Sequence, residues 1–305
     1  MIIQLIYNPN SGGGRGNRLS PLVIQSLRKY GHKVVDYRTL YRNHATEIAR
    51  HIDLNSCDAI VAVGGDGTTY EVLNGIMNNT SVKKRPPFGV IPVGTGNSFS
   101  QDLGMHHWKD GVLAVLKGSI KSVDIMKFTT EGENYYSVNC IGLGIPTDVV
   151  ATGNKYKKYL GKSVYTVCAV AEIMRFKPHH TKLEVDGVIY EYEGVLTNFS
   201  NSTIFGGNMK ISPNSVIDDG VIEAVVLENM PKKELLKAFP TVYSGEHLNN
   251  PYVKVYQGKH FKIETTPPKI LNPEGEIFGV TPMEITVMPK EIDFFVLQKS
   301  EFTSD

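Results

Sequence analysis

Strong charge of either sign is missing from this chain. Lys and Arg number 32 against 31 Asp and Glu, a net charge of +1, which leaves no bulk field for gripping nucleic acid. Cysteine is scarce. Cys57, Cys140 and Cys168 lie far apart in apolar contexts without metal-ligand spacing, the pattern of reduced core residues in a cytosolic protein. Long hydrophobic runs are also absent: the best helical candidate, Val164 to Met174, is broken by Glu172 and is too short to span a bilayer. The N-terminus has no basic n-region, and its first apolar run is only a strand long, so no signal peptide is expected. Neither GxxxxGK[ST] nor GxGxxG occurs at a strand-to-helix junction. What remains is 305 residues, 41% hydrophobic and 21% charged, enough for two domains with cores of their own.

The most informative stretch is residues 59–71, AIVAVGGDGTTYE. Ala59 to Val63 is a short apolar strand, and Gly64, Gly65 and Gly67 bracket Asp66. Thr68 and Glu71 have the spacing of a capping box, which predicts a helix opening at Thr68 and running to about Asn78. Glycines at such a turn let backbone N–H groups approach a ligand, and the helix N-terminus adds partial positive charge, a cradle for phosphate. A carboxylate inside that cradle repels phosphate unless a metal ion or hydroxyl lies between them. Asp66 therefore points to metal–nucleotide chemistry.

Two more segments follow the same plan. The strand Ile2–Tyr7 precedes Asn8-Pro9-Asn10-Ser11-Gly12-Gly13-Gly14-Arg15-Gly16 and a helix expected from Pro21 to Tyr30; the strand 88–92 precedes Gly94-Thr95-Gly96-Asn97. In a parallel α/β sheet such strand ends line one crevice. Strands at 33–38 and helices at 44–52, 97–103 and 108–117 complete a βαβα rhythm. Near Ser122 the character changes to Val-, Ile-, Tyr- and Thr-rich runs, among them 122–128, 135–141, 181–185, 188–199, 220–227, 253–256, 259–265, 269–271 and 283–288, as in an antiparallel sandwich or barrel. Helices are expected at about 155–175 and 231–243, and 294–297 reads as a separate final strand. The domains are thus residues 1–125, an α/β nucleotide-binding domain, and 126–290, a β-sandwich, with 291–305 as a strand and tail that can return to the first.

In the second domain, Asp218-Asp219-Gly220 reads either as a β-turn or, with nearby carbonyls, as a hard-cation site. Asn272-Pro273-Glu274-Gly275-Glu276 places two acids on a tight turn, one of which could serve as a general base. Ile204 to Met209 reads as a bulge, a hairpin or another close backbone approach.

In order along nearly the whole chain, Asn8-Pro9 with Ser11-Gly12, then Gly64-Gly65-Asp66-Gly67-Thr68, then Pro92 with Gly94-Thr95-Gly96-Asn97 resemble the diacylglycerol kinase catalytic-domain family of bacterial lipid kinases, which is related to sphingosine and ceramide kinases. Asn139 to Gly144, Gly206-Gly207-Asn208-Met209, Pro213, Asp219-Gly220 and Gly275-Glu276 fit the later blocks. Gly-Gly-Asp-Gly-Thr by itself also occurs in NAD kinases and is similar to a phosphofructokinase motif; the ordered set is far more specific.

The resemblance implies a Rossmann-like, NAD kinase/phosphofructokinase-like α/β domain and an antiparallel β-sandwich, with the active site in the cleft between them. It implies phosphoryl transfer from ATP, with Mg²⁺, to the hydroxyl of diacylglycerol or a related lipid alcohol. ATP would contact Asn8, Pro9, Asn10, Ser11, Gly12, Thr39, Gly64 to Thr68 and Gly94 to Asn97. Asp219 with the carbonyls of Val216 and Val221 would form a magnesium site, Asp66 would act with the metal and triphosphate, and Glu276 would accept the proton. Where the family usually has Asp-Gly-Glu, this chain has Glu274-Gly275-Glu276. A sphingoid-base or ceramide kinase and a catalytically weak nucleotide- or lipid-binding regulator stay open as alternatives, and a homodimer is compatible with the reading. Lys155, Lys157, Lys158 and Lys162 form either a solvated helix face or a docking patch for anionic lipid. The expected location is cytoplasmic, peripheral to the inner face of the membrane, with no nucleic-acid partner.

Overall fold

The computed structural model describes residues 1–81, 84–160, 164–206 and 208–297, without side chains at 154–160 and 164–166. The chain forms two compact units, Met1–Val123 together with the segment from Lys290 onward, and Asp124–Pro289.

In the first unit four parallel strands stand in the order Lys33–Arg38, Ile2–Tyr7, Ala59–Gly64, Phe88–Pro92. All six residues of Ala59–Gly64 are buried, so both faces of the sheet are covered at its centre, which is why this strand reads as an uninterrupted apolar run. The residues expected as a final strand at 294–297 overlap the end of one long strand, Met283–Phe295. Phe294 lies parallel to Phe88, and its ring sits 5.1 Å from those of Phe88 and Phe99.

The second unit is largely antiparallel. Val253–Gly258, Ile222–Glu228, Val188–Ser200, His179–Val185 and His260–Thr266 lie side by side, and His260–Thr266 pairs in turn with the start of Met283–Phe295. Cys140–Gly144 pairs with the end of Val188–Ser200 and with Leu271–Pro273. Burial alternates strictly along His260–Thr266, the mark of strands with one face on a core. That core gathers Phe199, Phe261, Leu183, Ile263, Ile285 and their neighbours.

Several elements depart from the sequence reading. The helix after Gly65 begins at Asp66, and its N-cap residue, Gly65, has no side chain with which to cap it. Glu71 is used elsewhere: its carboxylate accepts from the backbone N–H groups of Asn43 at 3.0 Å and Ala45 at 3.1 Å, capping the neighbouring helix His44–His51. The first helical run is Ser11–Lys29, starting well before Pro21, with left-handed φ angles of 61°, 70° and 92° at Gly12, Gly13 and Gly14. Residues 135–141 are two strands, Glu133–Ser137 and Cys140–Gly144. The expected helix at 155–175 is two helices, Ile145–Leu160 and Val164–Arg175. Among the described residues no helix is long and apolar enough to cross a membrane.

Candidate active site

The three glycine loops of the first unit lie side by side, tied by backbone hydrogen bonds. Thr39 N–H donates to Tyr7 C=O at 3.0 Å, Asn8 N–H to Val63 C=O at 3.1 Å, and Val93 N–H to Gly64 C=O at 2.8 Å. These bonds run strand end to strand end, so the residues after each strand form one row along the C-terminal edge of the sheet.

Contact within the row is close enough to demand glycine. A Cβ on Gly94 would stand 2.4 Å from the Cα of Gly65, so these two backbones touch with no room for a methyl group. Gly12 combines φ 61° with a Cβ position only 2.2 Å from the Val93 carbonyl oxygen. Arg15 closes the arrangement: its Nε donates to Gly12 C=O at 3.2 Å, and its Nη2 donates to Gly94 C=O. The Ser11 and Thr68 hydroxyls come within 3.5 Å of each other. Asn10 N–H donates to the Asn8 side chain at 2.9 Å, and Asn17 N–H to Pro9 C=O at 2.9 Å, shaping the first loop. Thr39 is buried at the end of its strand, while Thr95 is exposed at the tip of the third loop.

Asp66 is the acid of this cradle, beside the Arg15 guanidinium. One carboxylate oxygen accepts from Ser98 N–H at 2.8 Å; a Cβ on Gly96 would stand 2.8 Å from the other. Burial pushes its pKa up to about 6, against the opposing pull of backbone N–H groups from Ser98, Phe99 and Asn97. Asn97, at φ 54°, donates through Nδ2 to Gly94 C=O at 3.0 Å, and its buried Oδ1 has no partner among the described residues. An unpaired buried acceptor costs about 1–3 kcal/mol, a price that binding sites carry more often than cores do. The enclosed carboxylate, the unpaired amide oxygen and the glycine loops fit a polyphosphate with a divalent cation.

In the second unit, Asp219 is exposed, and its Oδ1 accepts from Val221 N–H at 3.1 Å. The carbonyls of Val216 and Val221, expected beside it as cation ligands, are also oxygen donors, the chemistry of a hard cation. Two acids that the sequence reading passed over hold this loop. Asp124, fully buried, accepts from Gly220 N–H at 2.6 Å. Glu223, also buried, accepts from Ser212, from Ser215 at 3.1 Å and from Gln257 at 2.9 Å. Each is a lone acid inside an apolar strand pattern, between Val123 and Ile125 or between Ile222 and Ala224, and that signal was available.

The two acids of the Glu274-Gly275-Glu276 turn differ. Glu274, buried and at φ 53°, accepts through one oxygen from Ser137 Oγ at 2.6 Å, Val138 N–H at 2.9 Å and Asn139 N–H at 2.7 Å. Its own N–H donates to Cys140 C=O at 3.0 Å. Its carboxylate thus fills the break between strands Glu133–Ser137 and Cys140–Gly144. Glu276 is only partly buried. Phe205 and Met209 form an isolated bridge; Gly207 lies outside the described residues. So does Lys162, and so do the side chains of Lys155, Lys157 and Lys158.

Residues 3–128 match the family model described as diacylglycerol kinase catalytic domain, and residues 139–296 match the YegS C-terminal NAD kinase beta sandwich-like domain. The chain is 29% identical over 301 residues to the diacylglycerol kinase of Bacillus subtilis (strain 168), covering 94% of this chain and 96% of that one. It is 30% identical over 294 residues to the diacylglycerol kinase of Staphylococcus aureus (strain bovine RF122 / ET3-1), covering 96% and 91%. A crystal structure of a diacylglycerol kinase from Bacillus anthracis str. Sterne shares the fold, with a TM-score of 0.74, 21% identity and 97% coverage of both chains.

Proposed function

Because the chain belongs to the diacylglycerol kinase family of lipid kinases, we propose that it transfers the γ-phosphate of ATP, with Mg²⁺, to the hydroxyl of diacylglycerol or a closely related lipid alcohol. The observation that carries this reading is the Asp66 carboxylate enclosed among three glycine loops at the C-terminal edge of the first unit's sheet. Ser11, Gly12, Gly65, Thr68, Gly94 and Asn97 hold the triphosphate there, and Thr39 lies on its nucleoside side. Asp66 would hold the divalent cation. Bound Mg²⁺ would neutralise phosphate charge and help the γ-phosphoryl group depart.

Glu276 accepts the proton of the lipid hydroxyl as its oxygen bonds to the γ-phosphorus and the bond to the ADP oxygen breaks. No covalent intermediate is needed, because phosphoryl transfer depends mainly on positioning and charge stabilisation. Asp219, with the Val216 and Val221 carbonyls, would hold the magnesium ion that the resemblance implies for the second unit, and Lys155, Lys157, Lys158 and Lys162 would meet the lipid surface.

The test is an assay with labelled ATP, Mg²⁺ and mixed micelles of diacylglycerol, sphingosine, ceramide or monoacylglycerol. Label on diacylglycerol that disappears on omission of Mg²⁺ and in Glu276→Ala supports the reading. Label confined to sphingosine or ceramide would move the substrate to a sphingoid lipid. ATP binding without turnover on any lipid would replace the enzyme with a regulator.

A further inference from the structure

The second strand, Lys33–Arg38, stands at the edge of the parallel sheet, beyond the strand that carries the first glycine loop. Thr39 continues the row of strand ends through its bond to Tyr7, and Tyr41 follows two residues later. Strands sit about 4.8 Å apart, so this edge lies about 10 Å from the strand that ends at Gly64. A nucleoside triphosphate has about that reach from β-phosphate to base. With its phosphates at the glycine loops, its base falls over the Thr39–Asn43 segment.

Tyr41 is built as a plate at that place. It is 56% exposed, yet it is held on three sides. Its ring stacks on His44 with centroids 4.4 Å apart and planes at 12°. Its hydroxyl donates to Glu47 Oε2 at 2.7 Å. The segment beneath is pinned by Leu40 N–H donating to His44 Nδ1 at 3.0 Å, and by the Glu71 carboxylate on Asn43 and Ala45. Glu71 lies on the helix that begins at Asp66, so the plate and the phosphate cradle share one rigid support. Imidazole stacks on the ring, and more than half of the residue stays exposed. An exposed aromatic held this firmly loses little entropy on stacking against a flat ligand.

We infer that Tyr41 is the stacking plate for the nucleotide base and that it favours purines, whose two fused rings cover the phenol more fully than a pyrimidine does. This inference rests on the proposed nucleotide reading of the three loops.

Calorimetry on the full chain decides it, with MgATP, MgCTP and inorganic tripolyphosphate as ligands. Wild type should bind MgATP more tightly than MgCTP. Tyr41→Ala should weaken MgATP by roughly tenfold or more, erase the purine preference and leave tripolyphosphate binding unchanged. Tyr41→Phe, which keeps the ring but loses the bond to Glu47, should bind MgATP within about threefold of wild type. Unchanged MgATP affinity in Tyr41→Ala overturns the plate, while tripolyphosphate binding still upholds the cradle. Equal loss of MgATP and tripolyphosphate also overturns it, because Tyr41 would then act through loop structure. If wild type binds neither ligand, the nucleotide reading and the plate fall together.

Discussion

The carboxylate of Asp66 accepts a 2.8 Å hydrogen bond from the backbone N–H of Ser98, joining the second glycine loop to the third. The bond favours the ionised form, but burial outweighs it and raises the pKa from 3.8 to about 6. Below pH 3.8 the folded and unfolded chains both hold this proton, and Asp66 has no effect on stability. As pH rises toward 6 the unfolded chain releases it first, so stability falls; above about 6 the full penalty is present. Allowing for the partial exposure of the residue, that penalty is on the order of 1–2 kcal/mol. Asp66→Asn should therefore gain stability relative to wild type between pH 4 and pH 6 and hold the gain at pH 7, while losing all turnover. Urea unfolding across that range, without nucleotide, checks the first half. A stability difference that does not change with pH would mean that Asp66 is already ionised in the free protein.

Glu274 and Glu276 lie two residues apart and should fail in different ways. Glu274→Ala strips a buried oxygen from three donors, which should cost about 2–4 kcal/mol and loosen the turn that carries Glu276. Glu274→Asp keeps the charge at a left-handed position that aspartate tolerates. Its carboxylate would be about one methylene short of the Ser137–Asn139 donors, so an intermediate loss of about 1–2 kcal/mol is expected. Glu276→Ala should leave stability within about 0.5 kcal/mol of wild type and abolish kcat. Chemical denaturation beside steady-state kinetics on the three variants separates the supporting acid from the proton acceptor. Full turnover by Glu276→Ala would remove it from that role.

Much of the fold was legible because its strands are apolar runs bounded by glycine, proline or asparagine, and burial in the structure follows those runs. Ile2–Tyr7, Lys33–Arg38 and Phe88–Pro92 fall where the pattern puts them. What misled was local chemistry spent at a distance. Thr68 and Glu71 have capping-box spacing, yet Glu71 serves a helix 26 residues earlier. The partners of Glu274 are 135–137 residues away, so spacing along the chain cannot distinguish its role from that of Glu276. Asp124 and Glu223 were hidden for a related reason: an acid in an apolar strand declares that it has a partner without saying which one.

Gly12 and Gly13 offer an internal control for the first loop. Both have left-handed φ, but a Cβ at Gly13 meets nothing within 4 Å among the described residues, whereas one at Gly12 runs into Val93 and Arg15. Gly13→Ala should cost only the backbone strain, about 1–2 kcal/mol, and leave the KM for ATP close to wild type. Gly12→Ala must also push the first loop away from the third, so its KM for ATP should rise at least about tenfold, the effect of a displacement near 1 Å at a positioned site. Equal KM values for the two variants would show that the contact between Gly12 and Val93 does not shape the nucleotide site.

Arg15 tests whether the cradle is held together by geometry or by charge. Its guanidinium reaches two carbonyl oxygens on separate loops, Gly12 and Gly94, a task for a rigid planar fork that a lysine ammonium cannot copy. If its work is to clamp those carbonyls, Arg15→Lys and Arg15→Ala should behave alike, each raising the KM for ATP by roughly tenfold and lowering the unfolding midpoint. If it instead supplies positive charge to the triphosphate, lysine should restore most of the affinity that alanine loses, because ammonium serves phosphate well as a point charge. The guanidinium makes both carbonyl contacts, so the clamp is the expected outcome. A KM in Arg15→Lys within about threefold of wild type would reject it.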